Sequence, residues 1–350
     1  MKHVYLFIVL LSLIALGRTA NAQDVHLSHI HASPTFLNPA MVGLMNEDLR
    51  LIGNYRSQWQ TFNAGYRTMI ASADMKAFRG FGLRDEFGAG LQIMSDKAGD
   101  IAYTTTDIEL TLSYLKALNR NADHLISAGA RVGFIQNQFD IEKLRLLDED
   151  PTILNGELMN TTQMIDVSAG LGWFVPLINR YDFAYLGFSA FHLNRATLSF
   201  TENHDHVITE GLQLYPKYTF HGGGSVRVNA YVALKPSFIF HFQGPHREFN
   251  LGTFVRMSKE PRTYFRAQYA IYTGFWLRWA INDGQLQRDA LIGALRYDYK
   301  DMVFTFSFDM NISDLAKASH ALGGPELSVM KYFDFDRPAR KRSRVKCPAF

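Results

Sequence analysis

Two histidine-rich segments are the residues whose types and spacing could bind a metal ion. His26, His29 and His31 lie within six residues, and the stretch 204–206 reads His-Asp-His in a polar, loop-like region. Zinc takes three or four ligands in a fixed geometry. No cysteine or carboxylate completes a recognisable ligand pattern at either place, so we predict no metal site and no cofactor.

A glycine run and the absence of a nucleophile motif bear on catalysis. Gly222, Gly223 and Gly224 are consecutive, but they lie inside a predicted strand and not between a strand and a helix, so they do not form a phosphate loop. Glycine there is expected to allow a bend or close packing. No G-x-S-x-G motif occurs. We predict no catalytic residue, although a membrane-bound hydrolase with an unmarked Ser–His pair stays open as an alternative.

The elements that would carry any site are strands with two different faces. From Met164 to Trp173 apolar residues alternate with polar residues or glycine. Side chains on a strand point to opposite faces with a period of two, so this segment has one apolar face and one small, polar face. A closed barrel in an outer membrane turns such an apolar face to lipid and the polar face to its lumen.

The same alternation recurs at regular spacing and predicts about fourteen strands. An even number is typical of single-chain bacterial barrels. The fold class is therefore all-β, a transmembrane antiparallel β-barrel over residues 49–333, and the predicted strands are 49–55, 66–75, 87–94, 107–115, 125–137, 164–174, 183–192, 218–228, 231–242, 249–257, 272–281, 290–299, 302–311 and 326–333.

Charge and aromatic residues fit a membrane barrel better than a soluble sandwich. Charged residues of these strands fall opposite the apolar face, and after the first 22 residues no apolar run is long enough for a membrane helix. A soluble β-sandwich of this length would need two domains or very long loops, and no linker is visible. Aromatic residues near strand ends are expected to form interfacial girdles; they include Tyr114, Trp173, Trp276 and Trp279.

The first 22 residues read as a cleaved secretory signal peptide. A polar start is followed by an apolar run from Val4 to Leu16 and a small-x-small site at Ala20-Asn21-Ala22. No cysteine follows that site, so the chain is not a lipoprotein, and the single cysteine, Cys347, excludes an internal disulfide framework. Predicted loops differ in length, with long ones at 138–162 and 194–217, which we expect to face the outside.

Both ends of the mature chain are predicted to lie outside the barrel wall. Residues 23–48 are apolar but contain Pro34 and Pro39, so we expect a plug-like segment that docks in the lumen or across its periplasmic mouth. Residues 334–350 form a basic periplasmic tail, expected to be unstructured and exposed. Its basic residues outnumber the acidic ones by four, and they are Arg337, Arg340, Lys341, Arg342, Arg344 and Lys346.

Several longer motifs carry a resemblance to a known family. Residues 36–43 (FLNPAMVG), 54–59 (NYRSQW), 293–299 (GALRYDY), 309–313 (DMNIS) and 323–328 (GGPELS) resemble the PorP/SprF family of type IX secretion system membrane proteins, as does the basic end that closes on CPAF. The resemblance spans the mature chain, and the region 138–217 matches only loosely.

The resemblance implies an outer-membrane barrel of Bacteroidota-type bacteria without a known active site. Family members support export or surface attachment of large cargo proteins, including gliding adhesins, or link the periplasmic secretion machinery to the outer membrane. The implied partners are a secreted cargo protein, other type IX secretion components and outer-membrane lipid, with no nucleic acid. The candidate partner-binding residues are Asn38, Pro39 and Gly43 together with the six basic residues of the tail. A solute porin is the alternative function.

Overall fold

A computed structural model provides the structure of the 350-residue chain. It describes residues 24, 27–28, 32–58, 65–79, 85–99, 102–119, 124–140, 161–177, 182–198, 213–259, 269–282, 285–313, 322–335 and 347. Among these residues, no helix has the length and apolar character needed to cross a membrane. The histidines of both histidine-rich segments lie outside the described residues, as does the predicted signal peptide.

Strands make up nearly all of the described structure. They are β1 (Leu49–Gln58), β2 (Tyr66–Arg79), β3 (Asp85–Ala98), β4 (Tyr103–Ala117), β5 (Leu125–Gln138), β6 (Thr161–Pro176), β7 (Phe183–Phe191), β8 (Lys217–Arg227), β9 (Val232–Gln243), β10 (His246–Met257), β11 (Tyr269–Asn282), β12 (Gln285–Tyr299), β13 (Met302–Asn311) and β14 (Leu322–Phe333). A one-turn helix α1 (Pro34–Leu37) and a 3-10 turn (Pro39–Met41) precede β1.

The strands form one closed antiparallel barrel in which sequence neighbours pair throughout. The barrel closes between β1 and β14, with Leu49 opposite Phe333 and Arg56 opposite Glu326. All fourteen predicted strands are confirmed, and so is the predicted fold class. Several strands extend beyond the predicted segments by a few residues. For example, β4 runs from Tyr103 to Ala117, whereas the alternation predicts 107–115.

Strand β4 shows how the two faces separate. Ile108, Leu110 and Leu112 point outward and are 43%, 65% and 63% exposed. Glu109 and Thr111 point into the lumen and are buried. A charge on the outer face at mid-membrane would cost about 2–4 kcal/mol for a basic residue, which explains why the charged residues lie inside.

The structure corrects one aromatic prediction and confirms one for glycine. Trp276 is not on the outer surface: it is buried in the lumen and its indole Nε1 donates to Ser237 Oγ at 3.0 Å. It lies on the same face of β11 as Arg278, whose charge requires the inner side. Gly223 and Gly224 lie within β8, where an added Cβ would come within 2.6 Å of the carbonyl oxygens of Pro236 and Phe183, respectively.

The two ends of the barrel differ. We call the end at which β1 begins and β14 ends the terminal end, and the opposite end the loop end. The connections after β5 and β7, residues 139–160 and 192–216, are the longest, and both lie at the loop end. Two-residue connections occur at both ends, at 300–301 on the terminal end and at 244–245 and 283–284 on the loop end. The position of the two longest connections matches the long external loops of outer-membrane barrels.

Candidate functional site

The candidate site is the part of the chain that lies inside the barrel. We call the described residues of this region, 24, 27, 28 and 32–48, the luminal segment. Asp24 contacts Lys217, the first residue of β8, and Gln243, the last residue of β9, both at the loop end. Asp48 donates its backbone N–H to Phe333 O at the terminal end. The segment therefore runs along the lumen from one end to the other before it enters β1.

Wall side chains bind the backbone of the luminal segment. Ser113 Oγ donates to Val42 O at 2.6 Å, and Ser189 Oγ donates to Leu37 O at 2.9 Å. The Arg131 guanidinium donates to Thr35 O. Because the segment has no neighbouring strand to pair with, these bonds replace a ladder and satisfy buried carbonyl groups that would otherwise cost free energy.

Asn38 lies at the centre of this arrangement and is fully buried. Its Oδ1 accepts from Ala40 N at 2.8 Å and so caps the 3-10 turn. Its Nδ2 donates to Leu171 O at 2.9 Å and lies 3.0 Å from His221 Nε2. One short amide side chain thus fixes the turn and attaches it to β6 and β8.

Glycines on the inner wall make room for the segment. We call Gly88, Gly90, Gly129 and Gly170 the wall glycines. An added Cβ at Gly129 would collide with the backbone of Pro39, and one at Gly170 would collide with the side chain of Asn38. At Gly88 it would come within 2.7 Å of Val42 O. The backbone of the segment therefore approaches the wall more closely than any other residue type would allow.

Apolar packing adds to these polar contacts near the terminal end. Leu37, Met41 and Leu44 of the segment are buried in one cluster with Leu115 and Phe174 of the wall. Complete burial of a Leu or Met side chain contributes about 1.5–3 kcal/mol. The segment is thus packed against the wall as a protein core is.

A buried ion pair holds the turn that leads into β1. Arg50 donates to both carboxylate oxygens of Asp74 at 2.8 Å, and its Nη2 also donates to Met41 O at 3.2 Å. Asp74 Oδ2 accepts from Gly43 N at 2.8 Å, and Gly43 has a φ of +71°. A left-handed conformation of this kind favours glycine. The pair joins the segment to β1 and β2.

At the loop end, Asp24 is held by a group of wall side chains. We call Asp24, His192, Lys217 and Gln243 the N-terminal clamp. Asp24 Oδ2 lies 2.9 Å from His192 Nε2 and 3.4 Å from Lys217 Nζ, and Asp24 Oδ1 accepts from Gln243 Nε2 at 2.9 Å. His192 Nδ1 lies 2.8 Å from Asp166 Oδ1.

These contacts keep Asp24 and His192 charged. Burial opposes ionisation of Asp24, but the nearby charges of His192 and Lys217 outweigh it and hold the pKa of that carboxyl well below its usual range. Burial likewise disfavours the charged imidazole of His192. The carboxylates of Asp24 and Asp166 prevail and raise its pKa to about 10. His192 also has a φ of +55°, which is uncommon for a residue with a side chain.

The other terminus returns to the terminal end of the lumen. Asn46 Nδ2 donates to Cys347 O at 2.8 Å, and Cys347 N donates to Asn46 Oδ1 at 3.0 Å. Phe335 N donates to Asp48 Oδ2 at 2.9 Å. The expectation of an exposed tail is wrong at Cys347, which is fully buried, because its backbone finds two partners and its side chain an apolar cluster. Burial raises the pKa of its thiol to about 12.

A polar cavity of about 620 Å³ lies at the loop end beside the clamp. Charged side chains of both signs line it, and they are Asp24, Asp96, Glu248, Asp289, Asp309, Arg56, Lys217, Arg247 and Arg278. Asp309 accepts from Arg56 Nη2 at 3.1 Å and from Arg278 Nη1 at 3.0 Å, and Ser28 Oγ donates to it at 2.6 Å. The acids and bases of this cavity therefore largely neutralise one another.

The structure places three of the predicted partner-binding residues together. Asn38, Pro39 and Gly43 all lie on the luminal segment against the wall. The six basic residues of the tail lie outside the described residues. Sequence reasoning missed the wall glycines as a docking surface and missed His192. Among the residues described, no group of three or more His, Cys, Asp or Glu side chains is placed to hold a metal ion.

The fold and the distribution of apolar and charged residues define an outer-membrane β-barrel. The family model for the type IX secretion system membrane protein PorP/SprF matches residues 19–324, so the chain belongs to that family. Membership places the protein in the outer membrane. Among curated proteins, none matches the sequence significantly.

Solved outer-membrane barrels resemble the structure at low sequence identity. The toluene transporter TbuX of Ralstonia pickettii is 13% identical with a TM-score of 0.49, over 90% of this chain and 96% of that chain. The monoaromatic hydrocarbon channel CymD is 12% identical with a TM-score of 0.47, over 87% of this chain and 94% of that one. BamA from Haemophilus ducreyi is 9% identical with a TM-score of 0.45, over 83% and 70%.

Proposed function

We propose that this barrel supports the secretion or surface attachment of specific cargo proteins such as adhesins, or anchors the secretion machinery to the outer membrane. Family membership supports a role in type IX secretion, together with other components of that system. The family and fold are those of a membrane barrel, a non-enzymatic kind of protein, and we propose no catalytic step.

The observation that carries the proposal is the luminal segment bound along the wall. A passive porin needs a water-filled channel through its barrel. In this chain Leu37, Asn38 and Met41 are buried inside the lumen instead. The arrangement favours a barrel that serves as a platform for protein partners over the alternative of a solute porin.

The terminal end offers the proposed docking surface for periplasmic components. The basic tail leaves the barrel at Phe335 beside Asp48, and the chain returns to the barrel at Cys347 beside Asn46. All six basic residues of the tail lie in the sequence between these two attachment points, Phe335 and Cys347. We propose that this stretch binds an acidic protein surface or the anionic head groups of outer-membrane lipid.

Asn38, Pro39 and Gly43 have a different place in this proposal. Their described contacts are with the wall and with the segment itself. We propose that a partner reaches them only in a conformation in which the luminal segment has left the wall. In the closed conformation these three residues hold the segment against the wall. Their substitution would therefore weaken the attachment of the segment before it changed any contact with a partner.

Deletion of the gene tests the function directly. The expected result is the loss of one or a few proteins from the secreted and surface fractions, measured by quantitative mass spectrometry, with uptake of small solutes unchanged. An unchanged surface proteome together with impaired solute uptake would overturn the proposal in favour of a porin.

A charge variant tests the docking surface separately. Replacement of the six basic tail residues by glutamine should weaken cross-linking to periplasmic or outer-membrane partners in intact cells. The matched control is Arg67→Gln with Lys97→Gln, which removes two exposed cations at the loop end. If the tail variant, the control and the parent cross-link to the same partners, the basic residues of the tail do not bind a partner and serve only to keep this end of the chain soluble.

A further inference from the structure

We propose that the luminal segment is a displaceable plug, latched at the loop end by the N-terminal clamp, and that the barrel conducts ions when the segment leaves the wall. The gate belongs to this one chain and does not depend on which protein the barrel serves.

The wall is complete without the segment. β1 pairs directly with β14 over Leu49–Arg56, and every other strand pairs with its sequence neighbours. Within the luminal segment only its last residue, Asp48, extends this ladder, through backbone hydrogen bonds with Phe333 and Lys76. The described residues before Asp48 are not needed to close the barrel. Removal of the segment therefore leaves the lipid-facing surface and the barrel closure as they are.

The surface beneath the segment is compatible with water. Apart from the apolar cluster near the terminal end, the segment rests on serine, arginine and glycine of the inner wall, such as Ser113, Arg131, Ser189 and Gly129. Each of these groups is solvated at little cost when the segment is absent. The emptied groove would be a polar, glycine-lined channel.

The wall on the opposite side of the lumen is polar as well. Among the described atoms, Asn54 Nδ2, Arg56 Nε and Asp309 Oδ1 are buried without a hydrogen-bond partner on β1 and β13, the two strands that flank β14. Buried polar groups in proteins are normally satisfied by protein or by ordered water. β13 contacts the segment through the hydrogen bond from Ser28 Oγ to Asp309, and the unpartnered atoms beside that contact are positions where ordered water can lie.

The attachment of the segment is uneven along its length. At the terminal end it continues covalently into β1, whereas at the loop end it is held by the side-chain contacts of Asp24 with His192, Lys217 and Gln243. Three members of this clamp, Asp24, Lys217 and Gln243, also line the loop-end cavity. Ions or a polar ligand in that cavity can compete for the clamp, so release begins at the loop end.

Conductance in planar lipid bilayers tests the gate. The purified full-length protein should show conductance at least tenfold smaller than the variant Gly129→Leu/Gly170→Leu, whose new side chains occupy the positions of Pro39 and Asn38. The matched control is Gly53→Leu on the outer face, where an added Cβ meets nothing within 4 Å. An open parent pore as large as that of the double variant would overturn the proposal.

A reversible cross-link distinguishes release of the luminal segment from misfolding of a variant. Asp24→Lys places a cation opposite His192 and Lys217 and should open the pore. Adding Thr35→Cys and Ser72→Cys, whose hydroxyl oxygens lie 3.2 Å apart in the parent, with Cys347→Ala, should close it under oxidation and reopen it on reduction. Equal conductance of the oxidised and reduced forms, with the disulfide verified by mass spectrometry, would overturn the proposal.

Discussion

Asn46 and Cys347 form two reciprocal hydrogen bonds across 301 positions of sequence. The side-chain amide of Asn46 imitates a backbone peptide and pairs with the N–H and C=O of Cys347. Since Asn46 belongs to the luminal segment and Cys347 to the basic tail, this pair attaches the tail to the part of the luminal segment that lies at the terminal end of the barrel.

The first prediction concerns this pair. Asn46→Ala removes both hydrogen bonds and leaves the backbone of Cys347 without them, a loss of about 1–3 kcal/mol for a buried group. Cys347 should then react with a maleimide at least tenfold faster at neutral pH, whereas the parent thiol is protected by burial and by a pKa of about 12. Asn229→Ala, in an exposed turn, is the control. Equal labelling rates in all three proteins would contradict the prediction.

The second prediction concerns Arg50 and Asp74. Asp74→Asn removes the buried partner charge of Arg50, which should destabilise the barrel by about 3–5 kcal/mol because an uncompensated charge remains inside. The midpoint of urea unfolding in detergent should fall accordingly. Asp301→Asn, at an exposed pair with Lys331, should cost less than about 1 kcal/mol. Equal effects of the two substitutions would show that Arg50 is solvated in the absence of Asp74.

Alternation alone was sufficient to predict the wall. The period of two in segments such as β4 and β6 reflects a lipid face and a polar face. The same parity would have placed Trp276 correctly, since it shares a face with Arg278. The prediction of an interfacial position for Trp276 was wrong because it relied on residue type alone, and aromatic residues occur on both faces of a barrel.

The docking of the luminal segment could be expected only in outline. Its proline-interrupted, apolar sequence indicated burial, but its partners are distant in sequence: Asn38 bonds to Leu171, 133 positions away. Such contacts exist only after the barrel has closed. The inward-facing glycines indicated where the segment would dock. Gly129 and Gly170 lie on the polar face of their strands, where a larger polar residue would also suit a polar lumen, so the choice of glycine suggests a close contact.

The third prediction concerns Asn38. Asn38→Asp keeps the oxygen that accepts from Ala40 N but replaces the donor to Leu171 O with an oxygen that repels it. The segment should leave the wall in a larger fraction of molecules. Limited chymotrypsin digestion, read by mass spectrometry, should then cut after Phe36 or Leu37 at least fivefold faster than in the parent. Asn229→Asp is the matched control, and resistance of the Asn38 variant equal to that of the control would contradict the prediction.

The fourth prediction concerns the pH dependence of the N-terminal clamp. His192 faces the carboxylates of Asp24 and Asp166, and Asp24 also faces Lys217. Because the pKa of His192 is raised to about 10, its contribution is complete below the unfolded value of about 6.5 and is lost as the pH rises through about 10.

Asp24 acts in the opposite direction. Its pKa is lowered, so its contribution is present above the unfolded value of about 3.9 and is lost only as the pH falls through its lowered value. Bilayer conductance should therefore be lowest near pH 5–6 and rise toward pH 10, and His192→Gln should remove most of that rise. More frequent opening at pH 5 than at pH 7 would contradict the assignment, because Asp24 and His192 are both charged in that interval.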